Sequence, residues 1–286
     1  MRATLSLAFI LWAIGLQAQN SQVYCRYVQN TVAHYGKVTG KVISELDKAP
    51  WAGGRVTGKK VALNSIKLLN PSQPQVIIGL AKSYKNSWKG KTPFKTVRWF
   101  IKPPGSAGSP GADVILPAAL DEVKVEVEMV IVIGKKVKNA GLEEAGKAIF
   151  GYTIGNDIVG LVDSYHRVQG EPLNQPEKVL ATGLKIGDGF EPFGPFIFVG
   201  GNWKNRKKEL IITSPDGKQR VRFQENTSNL LYSPAKIVSD LSRVLTLSPG
   251  DIISTGTGKS FIAGVGDSVS LSIEGYGKFS FKIVKP

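Results

Sequence analysis

The stretch Lys124-Val-Glu-Val-Glu-Met-Val-Ile-Val-Ile-Gly134 constrains the fold more than any other part of the chain. Val and Ile dominate it, and β-branched residues favour strands. Side chains alternate faces along a strand, so Lys124, Glu126, Glu128, Val130 and Val132 are expected on one face. Val125, Val127, Met129, Ile131 and Ile133 then form the other face, which should be core. The first face sets two carboxylates one strand repeat apart. Anions so placed repel unless a cation lies between them. Carboxylate oxygens suit Mg²⁺, Mn²⁺ or Ca²⁺. An exposed strand face on which Lys124 balances Glu126 fits the same residues.

The 286 residues leave room for one large domain or two smaller ones. With 32 Gly and 16 Pro, many turns are expected, which favours a β-rich architecture. A net charge of +15 attracts anions, carboxylate substrates among them, and is equally compatible with a solvated basic surface. The basic residues are scattered without an aromatic-basic pattern, so no nucleic-acid partner is expected.

Residues 1–18 read as a secretory signal: Arg2 precedes an apolar run over 5–16 that is short for a bilayer, and cleavage is expected near Ala18. Export to a periplasm or medium follows, or a cytoplasmic location if the signal reading fails. No later stretch is long and apolar enough for stable membrane insertion. Cys25 is the sole cysteine, which excludes an intrachain disulfide.

Along the chain, residues 35–38 and 41–45 flank Thr39-Gly40, and 55–57 and 60–63 flank Gly58-Lys59, as two hairpins of a small β unit. Asn70-Pro-Ser-Gln-Pro74 marks a boundary, giving a small N-terminal β domain over 19–74 and a larger domain over 75–286. Residues 76–80, 99–103, 114–117, 196–199, 251–254, 269–273 and 279–284 read as strands, and 152–160 begins as one. Pro215-Asp-Gly217 signals a hairpin between 210–213 and 220–224. The pattern over 142–150 is helical and stops at Gly151. Ser233-Pro234 predicts a helix start, with Ile237, Leu241, Val244 and Leu245 as its apolar face. Residues 171–176 read as a loop.

Gly256-Thr-Gly-Lys-Ser260 lacks the earlier glycine and the following helix of a phosphate-binding loop, so nucleotide binding is rejected there. A glycine-rich turn that places the Thr257 hydroxyl in a cleft accounts for it better. His34 and His166 stand in no metal-ligand spacing, and no nucleophile elbow is present.

In order, the motifs resemble those of the fumarylacetoacetate hydrolase family from about Tyr35 to Val284. Glu126-Val-Glu128 running into Val132-Ile-Gly134 is similar to its metal-binding strand. Gly151-Tyr-Thr with Asn156-Asp157 resembles the motif that supplies the third ligand. Lys185, ahead of Asp188-Gly-Phe190 and Gly194-Pro195, resembles its substrate-binding and catalytic lysine. Gly250-Asp-Ile-Ile-Ser-Thr-Gly-Thr257 resembles its glycine-rich turn, with Gly256 and Thr257 at substrate. Ile78-Gly-Leu-Ala-Lys-Ser-Tyr84 resembles its lid approach, and Phe100-Ile-Lys102-Pro a further motif, which adds Tyr84 and Lys102 to the expected substrate-binding residues.

The resemblance implies a mainly β (α+β) fold with a mixed β-roll or sandwich core behind the N-terminal domain. It implies a homodimer, and Mg²⁺ or Mn²⁺ held by Glu126, Glu128 and Asp157. It also implies a small anionic 2-oxo or β-diketo carboxylate as substrate. In that chemistry the metal stabilises an enolate, Lys185 balances charge or moves a proton, and Thr257 holds the substrate carboxylate.

The chain departs from the family at the lid. There Tyr84-Lys-Asn-Ser87 and Gly90 replace a His and a Glu that activate water, Ser83 replaces an Asn, and Leu161 stands where Arg is common. A serine is no unaided base near neutral pH. The expectation therefore widens from C–C hydrolysis to decarboxylation or tautomerisation, with a non-catalytic binder of metal and 2-oxo acids as the alternative.

Overall fold

Most strands follow the alternation of their own sequence. In Gln22–Gln29, for instance, Val23, Cys25 and Tyr27 are buried and the residues between them are not. The computed structural model describes residues 21–88, 92–118, 120–161 and 185–286. The expected signal, the 171–176 loop, His166 and Gly90 lie outside the described residues. The fold is mainly β, and among the described residues two α-helices accompany the strands.

The largest sheet has eleven strands. Its order runs Val56–Ala62, Val42–Leu46, Val32–Thr39, Gln22–Gln29, Phe196–Val199, Ile149–Gly155, Glu128–Ile133, Ile252–Ser254, Ile77–Ala81 and Arg98–Lys102, with Lys67–Leu69 also paired to Gln22–Gln29. The N-terminal strands thus continue the sheet that carries the central strand, joined through Gln22↔Val199 to Cys25↔Phe196. A five-stranded sheet, from Gln219–Asn226 through Lys207–Thr213, Ser268–Ile273 and Gly277–Val284 to Val114–Ile115, supplies further core side chains.

All six residues of Glu128–Ile133 are buried. Met129, Ile131 and Ile133 enter the main core, as the alternation predicts. Val130 and Val132 are covered too, by Ile77, Phe193, Ile197 and Ile252, so the carboxylate face is no solvent face. A strand in the middle of a wide sheet has both sides packed, which explains its unbroken run of apolar residues.

The expected single strand over 124–134 is interrupted. Glu122–Val125 belongs to a separate three-stranded sheet with Val159–Gly160 and Phe261–Gly264. At the break the Glu126 N–H donates to Asn156 Oδ1 at 2.7 Å, and Val127 O accepts from Lys208 Nζ at 3.0 Å. Side chains thus replace the ladder there, and the backbone is freed to turn both glutamates toward one point.

Three local expectations change. The first helix is Leu142–Ala148, shorter than its pattern, because Ile149 starts Ile149–Gly155 and pairs with Ile133. Residues 55–63 form no hairpin: Val56–Ala62 is one strand along Val42–Leu46, with a register shift between Ser44 and Leu46. In Pro234–Val244, Ser233 Oγ accepts from Lys236 N–H at 3.2 Å, and Ile237, Val238 and Leu241 are buried. Val244 is 62% exposed, so Val238 takes its place on the apolar face. Among the described residues no helix is long and apolar enough to cross a membrane.

Candidate metal centre

The interruption sets Glu126 and Glu128 on either side of Val127, and Asp157 follows Ile149–Gly155, whose Gly155 pairs with Glu128. The structure brings the three acids together: one oxygen from each lies within 4.8 Å of the others. Glu128 and Asp157 are buried, and Glu126 is half-buried. Burial first, then the charge of Asp157, raises the Glu126 carboxyl above its ordinary value. Glu128 is raised well above it by burial and by both neighbouring acids.

The Gly256 N–H donates to Glu128 Oε2 at 2.5 Å. Gly256 has φ +83, and a Cβ there would meet Ser83 Oγ at 2.3 Å, so only glycine fits the turn that delivers this N–H.

Two lysines share Asp157. Lys102 Nζ donates to Asp157 Oδ1 at 2.7 Å, to Phe190 O at 2.8 Å and to Glu191 Oε2 at 2.9 Å. Lys185 Nζ donates to Asp157 Oδ2 and lies 4.3 Å from the Phe100 ring centroid. Glu191 is fully buried and also accepts from the Ser254 hydroxyl. Burial pushes its carboxyl up to about 7, with Asp157 and Glu128 adding to the rise and Lys102 opposing it. Burial alone would lower the Lys102 ammonium, but Glu191 and Asp157 hold it above its ordinary value.

A second buried pair, Lys208 and Glu225, lies against the turn at Gly256. Lys208 Nζ sits 3.2 Å from Glu225 Oε2, 3.0 Å from Val127 O and 3.3 Å from Gly256 O, with the Tyr84 ring centroid at 3.8 Å. Burial opposes its charge, yet Tyr84 and Glu225 keep the ammonium above its usual range. Glu225 Oε2 further accepts from Thr257 Oγ1 at 3.2 Å and Gly258 N–H at 3.0 Å, and Oε1 accepts from Asn86 Nδ2 at 3.3 Å. Ser87 Oγ donates to Thr257 O at 3.3 Å, so the lid position that lacks histidine is tied to the turn.

Three residues expected at substrate are buried. Lys102 is fully buried with its ammonium directed at three oxygens, one of them on Asp157. Tyr84 is equally buried, under Lys208. The Gly256 N–H is taken by Glu128, and its carbonyl accepts from Lys208. Lys185 and Thr257 remain partly accessible.

The sequence reading missed Glu191, Lys208 and Glu225. Each carried a signal. Lys208 alternates with the buried Leu210 and Ile212, and Glu225 continues the alternation of Val221 and Phe223. Glu191 is the sole charge in the run Phe190-Glu-Pro-Phe-Gly-Pro-Phe-Ile-Phe198. A charged residue at a position that the pattern reserves for the core needs a partner, and here that partner is the site.

The donor set fits a hard divalent cation. Glu126, Glu128, Asp157, Glu191 and Glu225 face Lys102, Lys185 and Lys208, which leaves two negative charges when all are ionised. One divalent ion balances that excess, and three carboxylate oxygens without nitrogen or sulfur suit Mg²⁺, Mn²⁺ or Ca²⁺.

The fumarylacetoacetate hydrolase C-terminal family matches residues 77–284, which include every charged residue of the cluster. The chain belongs to the fumarylacetoacetate hydrolase family. A second family, described as Rv2993c-like, N-terminal, matches residues 24–71. Rv2993c of Mycobacterium tuberculosis is 31% identical over 260 residues, spanning 87% of this chain and 91% of that protein. A 4-hydroxyphenylacetate degradation bifunctional isomerase/decarboxylase of Salmonella dublin is 31% identical over 196 residues, spanning 68% of this chain and 42% of that one. The crystal structure of 5-carboxymethyl-2-hydroxymuconate delta-isomerase from Mycobacterium smegmatis superposes with a TM-score of 0.77 at 28% identity, over 92% of this chain and 100% of that one.

Proposed function

We propose that this protein is a divalent-metal-dependent enzyme acting on a small 2-oxo or β-diketo carboxylate through an enolate. The observation that carries the reading is the convergence of Glu126, Glu128 and Asp157 within 4.8 Å beside the accessible Lys185. When bound, a hard divalent ion would supply Lewis-acid stabilisation of the enolate oxygen. Lys185 then balances developing charge, or holds a proton, from its place on Asp157. Lys102 holds Asp157 through Oδ1, and the Gly256 N–H holds Glu128.

The lid offers Ser87, bonded to Thr257 O, where hydrolysis needs a base. That supports decarboxylation or keto–enol tautomerisation over C–C hydrolysis, since neither requires an activated water. The names of the Salmonella dublin and Mycobacterium smegmatis relatives, an isomerase/decarboxylase and an isomerase, agree with this choice.

The test is turnover of oxaloacetate and of enolisable acylpyruvates by the purified protein with Mg²⁺ or Mn²⁺. Activity above a Glu126→Ala control supports the reading, and none above it removes it. Ser87 also favours a second reading, a binder of metal and 2-oxo acids without chemistry. Calorimetric binding of pyruvate with Mn²⁺ but no turnover of any of these acids would select that one. Pairing of two chains and export through residues 1–18 belong to the same proposal, and are tested by sedimentation and by the N-terminal mass of the mature protein.

A further inference from the structure

Glu128 is held at two places, and both supports end on one ammonium. Its backbone N–H belongs to the planar peptide unit that carries Val127 O, and Val127 O accepts from Lys208 Nζ at 3.0 Å. Its carboxylate accepts the Gly256 N–H, and Gly256 O accepts from the same Nζ at 3.3 Å. Val127 lies between Glu122–Val125 and Glu128–Ile133 and belongs to neither strand, so its carbonyl sits where the two glutamates turn.

We propose that Lys208 is a positioning residue for the metal centre: it aims Glu128 by holding the Val127 and Gly256 carbonyls, and so sets the affinity for a divalent ion. This rests on the reading of Glu126, Glu128 and Asp157 as a metal centre.

The surroundings keep Lys208 in place. It stands directly across from Glu225 in the antiparallel pair of Lys207–Thr213 and Gln219–Asn226, so the two side chains share one face. An ammonium has three protons, and here three oxygens face them: Glu225 Oε2, Val127 O and Gly256 O. The side chain is fully buried, with the Tyr84 ring centroid 3.8 Å from Nζ.

Charge alone predicts the opposite of positioning. Lys208 interacts electrostatically with both Glu126 and Glu128, so its charge repels a divalent ion bound to them. On that ground, deleting the ammonium tightens metal binding. If the ammonium aims Glu128, deleting it weakens binding even though a repulsive charge has gone. The sign of the change separates the two.

The experiment measures Mn²⁺ affinity by calorimetry and stability by urea denaturation, both on the full chain. Lys208→Met should bind Mn²⁺ about 10–100-fold more weakly than the wild-type protein, the loss typical when a support of a metal ligand is removed. Lys208→Met/Glu225→Gln restores the charge balance of the pair, and should regain stability while binding stays weak. Glu225→Gln alone keeps the lysine donors on both carbonyls and should lose less affinity than the double variant. Should Lys208→Met fail to fold, because Glu225 is left buried without its cation, the other two variants decide. Unchanged or tighter Mn²⁺ binding in Lys208→Met or in the double variant overturns the assignment, as does equal loss in Glu225→Gln and the double variant. In each of these cases the reading of the metal centre stands. Absence of Mn²⁺ binding to the wild-type protein removes that reading, and this assignment with it.

Discussion

Lys102 Nζ lies 2.7 Å from Asp157 Oδ1, and neither group is open to solvent to any useful degree. The same ammonium reaches Glu191 at 2.9 Å, so one buried cation serves two buried anions. Removing one partner of such a pair leaves uncompensated charge in a medium that solvates it poorly. Lys102→Met should destabilise the metal-free protein by about 3–5 kcal/mol, read by urea denaturation. The double variant Lys102→Met/Glu191→Gln should recover part of that loss. Equal instability in the single and double variants would show that the charges do not interact.

Glu191 supplies a pH dependence of definite sign. Its carboxyl stands at about 7 in the fold against an ordinary 4.5. The folded chain therefore binds this proton more tightly than the unfolded chain. The resulting stability is fully present below the ordinary value and is lost as pH rises through about 7. Without divalent metal, Glu191→Gln should remove about 3 kcal/mol from the fall in stability between pH 4.5 and pH 7.5. Denaturant midpoints at the two ends of that window measure it, and an unchanged slope would count against the buried ionisation.

How much of this was legible beforehand depended on whether the signal was local. Glu126 and Glu128 announce themselves by spacing, and Ser233-Pro234 and Pro215-Asp-Gly217 by the backbone they require. The break at Val127 did not show, because its causes are Asn156 and Lys208, which the chain supplies 30 and 81 residues away. The burial of Lys102 is hidden for the same reason: nothing near it in sequence reveals Asp157 and Glu191. The strand Gln22–Gln29 does carry a local signal, the alternation of Val23, Cys25 and Tyr27.

Lys185 separates binding from chemistry. Its ammonium occupies Asp157 Oδ2, on a carboxylate that a divalent ion would also use. Lys185→Met removes that competing cation, so Mn²⁺ should bind at least as tightly as to the wild-type protein. Turnover should nevertheless fall by about 10²–10⁴-fold if the ammonium moves a proton or balances the enolate. Calorimetry and steady-state assays on the one variant provide both readings. Parallel loss of metal binding would reduce Lys185 to a structural part.

Gly256 joins backbone strain to the site. An added Cβ meets Ser83 Oγ at 2.3 Å and Leu80 O at 3.1 Å, on a backbone at φ +83. A side chain costs about 1–2 kcal/mol in that region before any clash, and the clash must then displace the turn. Glu128 would lose its N–H donor and Lys208 one of its carbonyls. Gly217 is the matched control: it shares φ +83, but a Cβ there meets nothing within 4 Å, at the turn between Lys207–Thr213 and Gln219–Asn226, the opposite end of that pair from Lys208 and Glu225. Gly217→Ala should lower stability by about 1–2 kcal/mol and leave Mn²⁺ affinity unchanged. Gly256→Ala should lose more stability and, in the fraction that folds, bind Mn²⁺ at least tenfold more weakly. Equal Mn²⁺ affinity in the two variants would mean that Glu128 does not depend on the turn for its place.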